Sequence, residues 1–221
     1  MAAISGLIRV MERAARKAGG RLRRDFGEVE HLQVSRKGPA DFVSKADMRA
    51  ERTIYDELLA ARPGWGFVME EAGVIEGDPG MPRWIVDPLD GTSNFLHGIP
   101  HFAISIAAQE PKLDGSGWGD VIAGVVYQPI TDETFWAEKT RGAWLQDKRL
   151  RVSGRRRLDE SLIATGIPFA GAGDPAAIKQ VLHEASFAGV VKLISTICVV
   201  QPRHLANADI ASQARSWRRS P

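Results

Sequence analysis

The chain has 221 residues, long enough to bury a hydrophobic core as one domain or as two packed lobes. Apolar residues make up 44% and charged residues 25% of the sequence, proportions that are typical of globular proteins and exclude a fibrous or disordered chain. The 29 basic and 27 acidic residues leave a net charge of +2, so the whole chain has no general attraction for nucleic acid or an anionic membrane.

Cysteine content and hydropathy bear on the cellular compartment. Cys198 is the only cysteine, which excludes an intramolecular disulfide framework and a cysteine-rich zinc site and fits a reducing compartment. No apolar stretch is long enough to span a bilayer. We therefore predict a cytoplasmic protein. The basic clusters at residues 21–24 and 155–157 are interpreted as solvated faces in preference to phosphate or nucleic-acid patches.

Two stretches of helical periodicity open the chain. Apolar residues recur at helical spacing from Ile4 to Ala18, and the glycines at 19–20 predict the end of this first amphipathic helix. A second periodic stretch follows Asp47 and ends near Pro63. On local grounds alone, Asp47 is interpreted as the cap of this second helix.

From Phe67 onward the pattern changes to short apolar runs separated by Gly, Pro and Asp. This pattern is typical of strands, with a meander in its second half, and the runs lie at residues 84–86, 102–108, 121–127, 134–137 and 143–145. Asp174 and Pro175 then predict the start of a helix, and the apolar run at 190–200 predicts a buried strand. The tail at 201–221 has weak periodicity and is expected to pack poorly. We therefore predict an α+β fold in which helices flank a mostly antiparallel sheet.

Acidic residues converge on one predicted turn. The segment 84–95 runs from a buried strand into a turn that contains Asp87 and Asp90, and Glu70 and Glu71 follow another apolar run. Mg²⁺ prefers oxygen ligands, and two or three carboxylates together with a substrate phosphate are enough to hold it. The four carboxylates therefore predict a site for a hard divalent cation.

The residues after Asp90 are suited to bind phosphate. Gly91 allows close approach of the backbone, and the N–H groups of Gly91 and Thr92 can bind phosphate oxygens if a helix begins there. Taken singly, an acidic pair is usually a solvated face and Asp-Gly is usually a turn. Taken together with the four carboxylates, they favour metal-assisted hydrolysis by a bound water.

These motifs closely resemble the signature of the inositol monophosphatase family. The resemblance extends from the first helix to about Ala172. It rests on GPADFVSKAD at 38–47, EE at 70–71, DPLDGTSNF at 87–95, GIPHFAISI at 98–106 and AGVVY at 123–127. It implies a layered α/β sandwich of the inositol monophosphatase and fructose bisphosphatase type, with a metal and phosphate lobe at 1–160 and a partial second lobe at 161–221. The family also implies a homodimer.

The resemblance also implies the ligands of the metal ions. Glu70, Asp87 and the carbonyl oxygen of Leu89 would hold one Mg²⁺, while Asp87 and Asp90 would share a second. Glu70 would help to hold a weakly bound third.

Catalytic and substrate-binding roles follow from the same resemblance. Thr92, oriented by Asp47, would act with Glu70 to activate the attacking water. Gly91 and Thr92 would bind the phosphate through their backbone amides, and Asp90 would lie near the substrate hydroxyls. The expected reaction is inverting attack by water, without a phosphoenzyme.

The resemblance ends before the motif that completes the family's second metal site. That motif is a Trp-Asp pair followed by small residues and glycine, whereas Asp209 is the last acidic residue here and Trp217 is followed by Arg218. We therefore expect an incomplete second lobe and a weakened second Mg²⁺ site.

Two functions remain open on this evidence from the sequence. The first is a Mg²⁺-dependent phosphomonoesterase that acts on inositol monophosphate or a similar small polyol or sugar phosphate. The second is a catalytically impaired metal- and phosphate-binding remnant or regulatory paralogue. Neither requires a nucleic-acid or membrane partner.

Overall fold

The computed structural model describes residues 4–32, 39–152, 154, 162–165 and 192–195. Two long helices come first, α1 (Gly6–Leu32) and α2 (Pro39–Ala61). They are followed by β1 (Gly66–Met69), β2 (Gly73–Ile75), β3 (Arg83–Asp90), α3 (Thr92–Leu96), β4 (Ala103–Pro111), β5 (Trp118–Gln128), β6 (Glu133–Glu138), β7 (Gly142–Leu145), β8 (Lys148–Arg149), β9 (Leu162–Thr165) and β10 (Lys192–Ser195). Cys198, the helix predicted from Asp174, the basic cluster at 155–157 and the tail at 201–221 lie outside the described residues.

Strands β1 to β8 form one sheet in the order β2-β1-β3-β4-β5-β6-β7-β8. β1 and β3 are parallel, and every other neighbouring pair in this sheet is antiparallel. The prediction of a mostly antiparallel sheet with a meander is therefore confirmed. A separate pair, β9 and β10, is parallel, and β10 falls within the apolar run that predicted a strand at 190–200.

The core lies between the sheet and the two long helices. Side chains alternate along each strand, so one face of β3 to β6 is buried against α1 and α2 while the opposite face is only partly covered by the described residues. The largest fully buried side chains include Trp84, Phe67, Phe95, Phe102, Ile54, Leu58, Ile104 and Ile106. None of the helices in the described ranges is long and apolar enough to cross a membrane.

α1 continues past the glycines at 19–20, so the prediction that it ends there is wrong. The apolar stripe continues with Leu22 and Val29, both fully buried, and this packing outweighs the low helix propensity of glycine. A Cβ atom on Gly19 would lie only 2.5 Å from the ring of Tyr127, whereas Gly20 has no atom within 4 Å of that position. Gly19 therefore permits close approach of α1 to β5.

α2 begins earlier than predicted, at Pro39, so Asp47 lies inside the helix and its interpretation as a cap is wrong. Proline is well tolerated at the first helical position because its missing N–H is not needed there. The buried stripe of Ala50, Ile54 and Leu58 packs in the core, and the helix ends at Ala61, close to the predicted end. Asp47 therefore belongs to a buried helix face that looks toward the sheet.

Candidate active site

The register of two parallel strands brings Glu70 and Asp87 together. Met69, the last residue of β1, pairs with Val86 of β3, and Glu70 and Asp87 each follow one member of this pair. Because neighbouring parallel strands keep their register, the two carboxyl groups meet at the same end of the strands. They are hydrogen-bonded to each other.

An irregularity in β3 shapes the next part of the site. β3 pairs with β4 through Asp87 and Ser105 and then through Asp90 and Ala103, so one more residue lies between the pairs on β3 than on β4. Pro88 lies in this bulge, where its lack of an N–H does not interrupt the ladder. The bulge places the buried Asp90 beside the same turn.

Gly91 links this bulged strand to the short helix α3. Its φ of 92° and ψ of 32° lie in the left-handed region, which glycine adopts without the steric penalty of a Cβ atom. The first residue of α3, Thr92, donates a hydrogen bond from its hydroxyl to the carbonyl oxygen of Leu89 at 2.9 Å. The turn between β3 and α3 is therefore stabilised by the left-handed conformation of Gly91 and by the hydrogen bond from the Thr92 hydroxyl to Leu89.

Aromatic packing fixes α3 to the core. The ring of Phe95 lies 4.9 Å from that of Phe102 and 5.4 Å from that of Phe26 on α1, measured between centroids. Asn94 donates a hydrogen bond to the carbonyl oxygen of His101 at 2.6 Å. The residues on either side of Gly91 are thus held by the core on one side and by β3 on the other.

α2 supplies the opposite wall of a cleft at this turn. The cleft has a volume of about 300 Å³. It is lined by Val43, Ser44, Asp47, Glu70, Glu71, Thr92 and Leu96. Three carboxyl groups and two hydroxyl groups therefore face a common space that is large enough for a small anion and its cations.

Burial and mutual repulsion dominate the electrostatics of this cleft. Burial, followed by the negative charges of Glu70, Glu71 and Asp87, raises the pKa of Asp47 to about 8. Its Oδ1 atom is buried and has no hydrogen-bond partner among the described residues. A polar atom in this state is costly unless a ligand completes it.

Asp87 is perturbed in the same direction for related reasons. Burial, the charges of Glu70 and Asp90, and the hydrogen bond with Glu70 raise the pKa of Asp87 to about 8. The backbone N–H of Leu89 donates to Asp87 Oδ1 at 3.1 Å and opposes this rise. At neutral pH and without a cation, the carboxyl group of Asp87 therefore retains its proton in most molecules.

The donor set fits Mg²⁺ in its chemistry. Carboxylate and carbonyl oxygens are the ligands that this ion prefers. A cation would neutralise the repulsion that, together with the larger effect of burial, raises the pKa values of Asp47 and Asp87. Within the part of the chain that the structure describes, however, no three acidic, histidine or cysteine side chains already have the spacing of a metal cage. Water and substrate oxygens would have to complete the coordination of any ion bound here.

The structure brings the predicted site residues to one end of the sheet, with one difference in detail. Thr92 donates its hydroxyl to Leu89 and not to Asp47, although Asp47 lines the same cleft. Glu51, which the sequence analysis missed, accepts hydrogen bonds from the turn after Glu70. Its position one helical turn after Asp47, on the same face of a helix, was the available signal.

Comparison with known proteins identifies relatives over most of the chain. Residues 4–211 match the sequence profile of the Inositol monophosphatase family, which extends the likeness beyond Ala172. Three curated relatives named inositol-1-monophosphatase are each 54% identical to the chain. The alignment with the one from Caulobacter vibrioides covers 177 residues, which are 80% of this chain and 67% of that protein. The chain spans 61% of the length of each of the other two.

Relatives with a different name share the same fold. A protein named Nus factor SuhB from Vibrio cholerae is 35% identical over 192 residues, which are 87% of this chain and 66% of that protein. The crystal structure of extragenic suppressor protein suhB from Bartonella henselae has a TM-score of 0.74 and 48% sequence identity, and the match covers 88% of this chain and 71% of that one. The layered α+β fold expected from the sequence is therefore confirmed.

Proposed function

The chain belongs to the inositol monophosphatase family, and we propose that it is a Mg²⁺-dependent phosphomonoesterase that hydrolyses inositol monophosphate or a similar small polyol or sugar phosphate. The observation that carries this proposal is the cleft in which Asp47, Glu70 and Glu71 face Thr92. Relatives named inositol-1-monophosphatase support the substrate class.

Four residues would hold the cations. They are Glu70, Asp87, Asp90 and the carbonyl group of Leu89, all of which belong to the ends of β1 and β3 or to the turn after them. When bound, Mg²⁺ supplies charge neutralisation and Lewis-acid polarisation of the phosphate ester. The raised pKa of Asp87 supports this assignment, because a group of repelling carboxyls is stabilised when a cation joins it.

The side chains of the cleft would position the water and the ester. Glu70 would accept a proton from the attacking water, with the Thr92 hydroxyl holding that water in line with the phosphorus atom. Asp47 has an unpartnered oxygen in the same cleft, so it can accept the Thr92 hydroxyl once that hydroxyl leaves the carbonyl of Leu89. This exchange of partners would free the turn to bind substrate.

The ester would bind next to the left-handed Gly91. The backbone amides of Gly91 and Thr92 would contact the phosphate oxygens, and Asp90 would accept hydrogen bonds from the hydroxyl groups of the polyol. Because water attacks directly, the phosphorus centre is expected to invert. The proposal extends to a cytoplasmic homodimer, on the family resemblance and the single cysteine.

The test is phosphate release from inositol 1-phosphate at a series of Mg²⁺ concentrations. We expect release by the wild type and a loss of about a thousandfold in Asp87→Asn, because removing a ligand charge forfeits several kcal/mol of stabilisation. Asp56→Asn is the matched control, since Asp56 is exposed on α2 and pairs only with Arg52 among the described residues. Release that persists in Asp87→Asn, or that needs no divalent cation, would contradict the proposal.

A second candidate is a metal- and phosphate-binding protein that does not turn over its ligand. It is supported by the relative from Vibrio cholerae, 35% identical over 192 residues, whose name, Nus factor SuhB, is that of a factor and not of a phosphatase. This candidate predicts that Mg²⁺ raises the thermal stability of the protein while no phosphate is released. A substrate panel of inositol 1-phosphate, fructose bisphosphate, histidinol phosphate and a nucleotide monophosphate separates the two functions.

A further inference from the structure

Glu51 is a buried carboxylate that the proposed chemistry does not use. It lies on α2, one helical turn after Asp47, and its relative exposure is only 6%. A buried ionised side chain is rare unless its oxygen atoms have partners. The partners of Glu51 therefore indicate its role.

Both oxygens of Glu51 accept backbone hydrogen bonds from one turn. Oε2 accepts from the N–H of Glu71 at 2.9 Å, and Oε1 accepts from the N–H of Ala72 at 3.1 Å. Residues 70–72 connect β1 to β2 and are themselves exposed. Hydrogen bonds to a charged acceptor are about twice as strong as neutral ones, so Glu51 ties an otherwise exposed turn to the rigid face of α2.

The turn needs such an anchor because its other supports are short. β2 has only the residues Gly73–Ile75, and among the strands that the structure describes it lies at the edge of the sheet and pairs with β1 alone. Glu70 begins the turn and shares a hydrogen bond with Asp87 at the end of the neighbouring strand. The position of Glu70 therefore depends on how firmly the backbone that follows it is held.

A carboxylate is the side chain that suits this pair of N–H groups. It offers two acceptor oxygens side by side, whereas the amide of Gln offers one oxygen and one donor. A neutral Gln would repel the nearby Glu71 and Asp47 less, but it would leave one N–H facing an NH₂ group. The bidentate geometry thus accounts for an acidic residue at a place that is already rich in negative charge.

We propose that Glu51 is a positioning residue that fixes the turn 70–72, holds the Glu70 carboxylate against Asp87 and thereby sets the affinity of the cleft for Mg²⁺. This inference rests on the proposed function, because it assumes that Glu70 is a metal ligand. Glu51 itself contacts backbone atoms and neither substrate nor reacting atoms.

The test compares Glu51→Gln with Glu57→Gln in the full chain. Glu57 lies on the same helix but pairs with Lys17 at 2.5 Å and Arg13 at 3.2 Å, so its substitution removes surface ion pairs and leaves the turn intact. Amide hydrogen exchange at residues 71 and 72 is measured without metal. We expect exchange at these two amides to be at least about tenfold faster in Glu51→Gln, because a hydrogen bond to a charged acceptor is lost, and unchanged in Glu57→Gln.

Mg²⁺ affinity is measured by the rise in melting temperature as Mg²⁺ is added. The midpoint of this rise is expected to move to a roughly tenfold higher Mg²⁺ concentration in Glu51→Gln, as for other residues that orient metal ligands, and to stay in place in Glu57→Gln. In the phosphate-release assay, the half-saturating Mg²⁺ concentration should rise more than the rate at saturating Mg²⁺ falls. Glu51→Asp keeps the charge and both oxygens on a shorter side chain, so it should give a smaller shift of the Mg²⁺ midpoint. It is the variant to use if Glu51→Gln does not fold.

The outcomes separate the two proposals. Equal Mg²⁺ midpoints in Glu51→Gln and Glu57→Gln, with an active wild type, overturn the role of Glu51 and leave the phosphatase in place. A shifted midpoint with no phosphate release by the wild type supports Glu51 as the positioning residue and overturns the phosphatase. Unchanged exchange at both amides overturns the anchoring contact itself.

Discussion

The helix-facing core of the sheet and the acidic cleft use the same strand in opposite ways. In β3, Trp84 and Val86 are buried against the helices, whereas Asp87 belongs to the acidic cluster. The core side chains are apolar, while the cleft gathers carboxyl groups whose pKa values are raised by burial and by one another. The apolar core therefore stabilises the fold enough to offset the repulsion between the carboxyl groups of the cleft.

The magnitudes support this division. Full burial of one large apolar side chain contributes roughly 1.5–3 kcal/mol, and the core contains many such side chains. Each unit by which a carboxyl pKa is raised reflects about 1.4 kcal/mol against its ionised form. Without a cation, ionisation of Asp47 and Asp87 at alkaline pH therefore lowers the free energy of unfolding. Burial of the apolar core offsets this loss.

The largest expected loss of stability comes from removing a large side chain from the apolar core. Trp84 is fully buried and lies 4.6 Å from the ring of Trp65. Trp84→Ala should lower the free energy of unfolding by about 3–5 kcal/mol in urea titrations, because a large cavity is left. In Trp84→Phe, the buried indole N–H that has no partner among the described residues is removed, so the loss should be much smaller. Equal losses in both variants would contradict this account.

The pH dependence of stability tests the cleft side. Both Asp47 and Asp87 have a pKa of about 8 in the fold, against 3.8 as the ordinary value. Between these values the folded protein holds more protons than the unfolded chain, so the free energy of unfolding falls as pH rises. In EDTA we expect a loss of roughly 2–4 kcal/mol between pH 5 and pH 8, with the full stability present below pH 4 for these two groups. Excess Mg²⁺ should flatten this slope, and Asp47→Asn should reduce it. A free energy of unfolding that rises between pH 5 and pH 8 in EDTA would contradict the raised pKa values of Asp47 and Asp87.

The smallest expected change in stability comes from substituting the two neighbouring glycines of α1, Gly19 and Gly20. Gly19→Ala should destabilise the protein by about 1–3 kcal/mol, because the new methyl group meets the Tyr127 ring. That ring cannot move freely, since its hydroxyl donates a hydrogen bond to Asp132 at 2.9 Å. Gly20→Ala, where the space is open, should stabilise the helix by up to about 1 kcal/mol. Thermal melts of the two variants should therefore shift in opposite directions, and a parallel shift would contradict the close approach of α1 and β5.

Local patterns were enough to predict most of the sheet. The apolar runs that became β3, β4, β5 and β6 are rich in β-branched and aromatic residues and are separated by turn residues, so their position in the chain and their type were clear. β2 was missed because its three residues are too few to show alternation. The end of α1 was misplaced because the contact that makes Gly19 useful comes from Tyr127, more than a hundred residues later in the chain.

The candidate site was predictable where the chemistry is local to a motif. Asp87, Asp90 and Gly91 lie in one turn, so their closeness to one another follows from the sequence alone. The parallel pairing that joins Glu70 to Asp87 depends on strand order, which no local pattern contains. Glu51 was missed for a related reason. Its spacing from Asp47 was visible in the sequence, but its partners are backbone N–H groups of a distant turn, which no sequence pattern reveals.

The central claim is that the carboxyl groups that would bind a cation in the acidic cleft lower the stability of the fold when no cation is present. The most direct test is the unfolding of Asp87→Asn at pH 8 with and without Mg²⁺. In EDTA the variant should be more stable than the wild type by about 1–2 kcal/mol, because a buried charge has been removed. Saturating Mg²⁺ should stabilise the wild type more than the variant and reverse their order. A variant that is less stable than the wild type in EDTA and gains as much from Mg²⁺ would contradict the account.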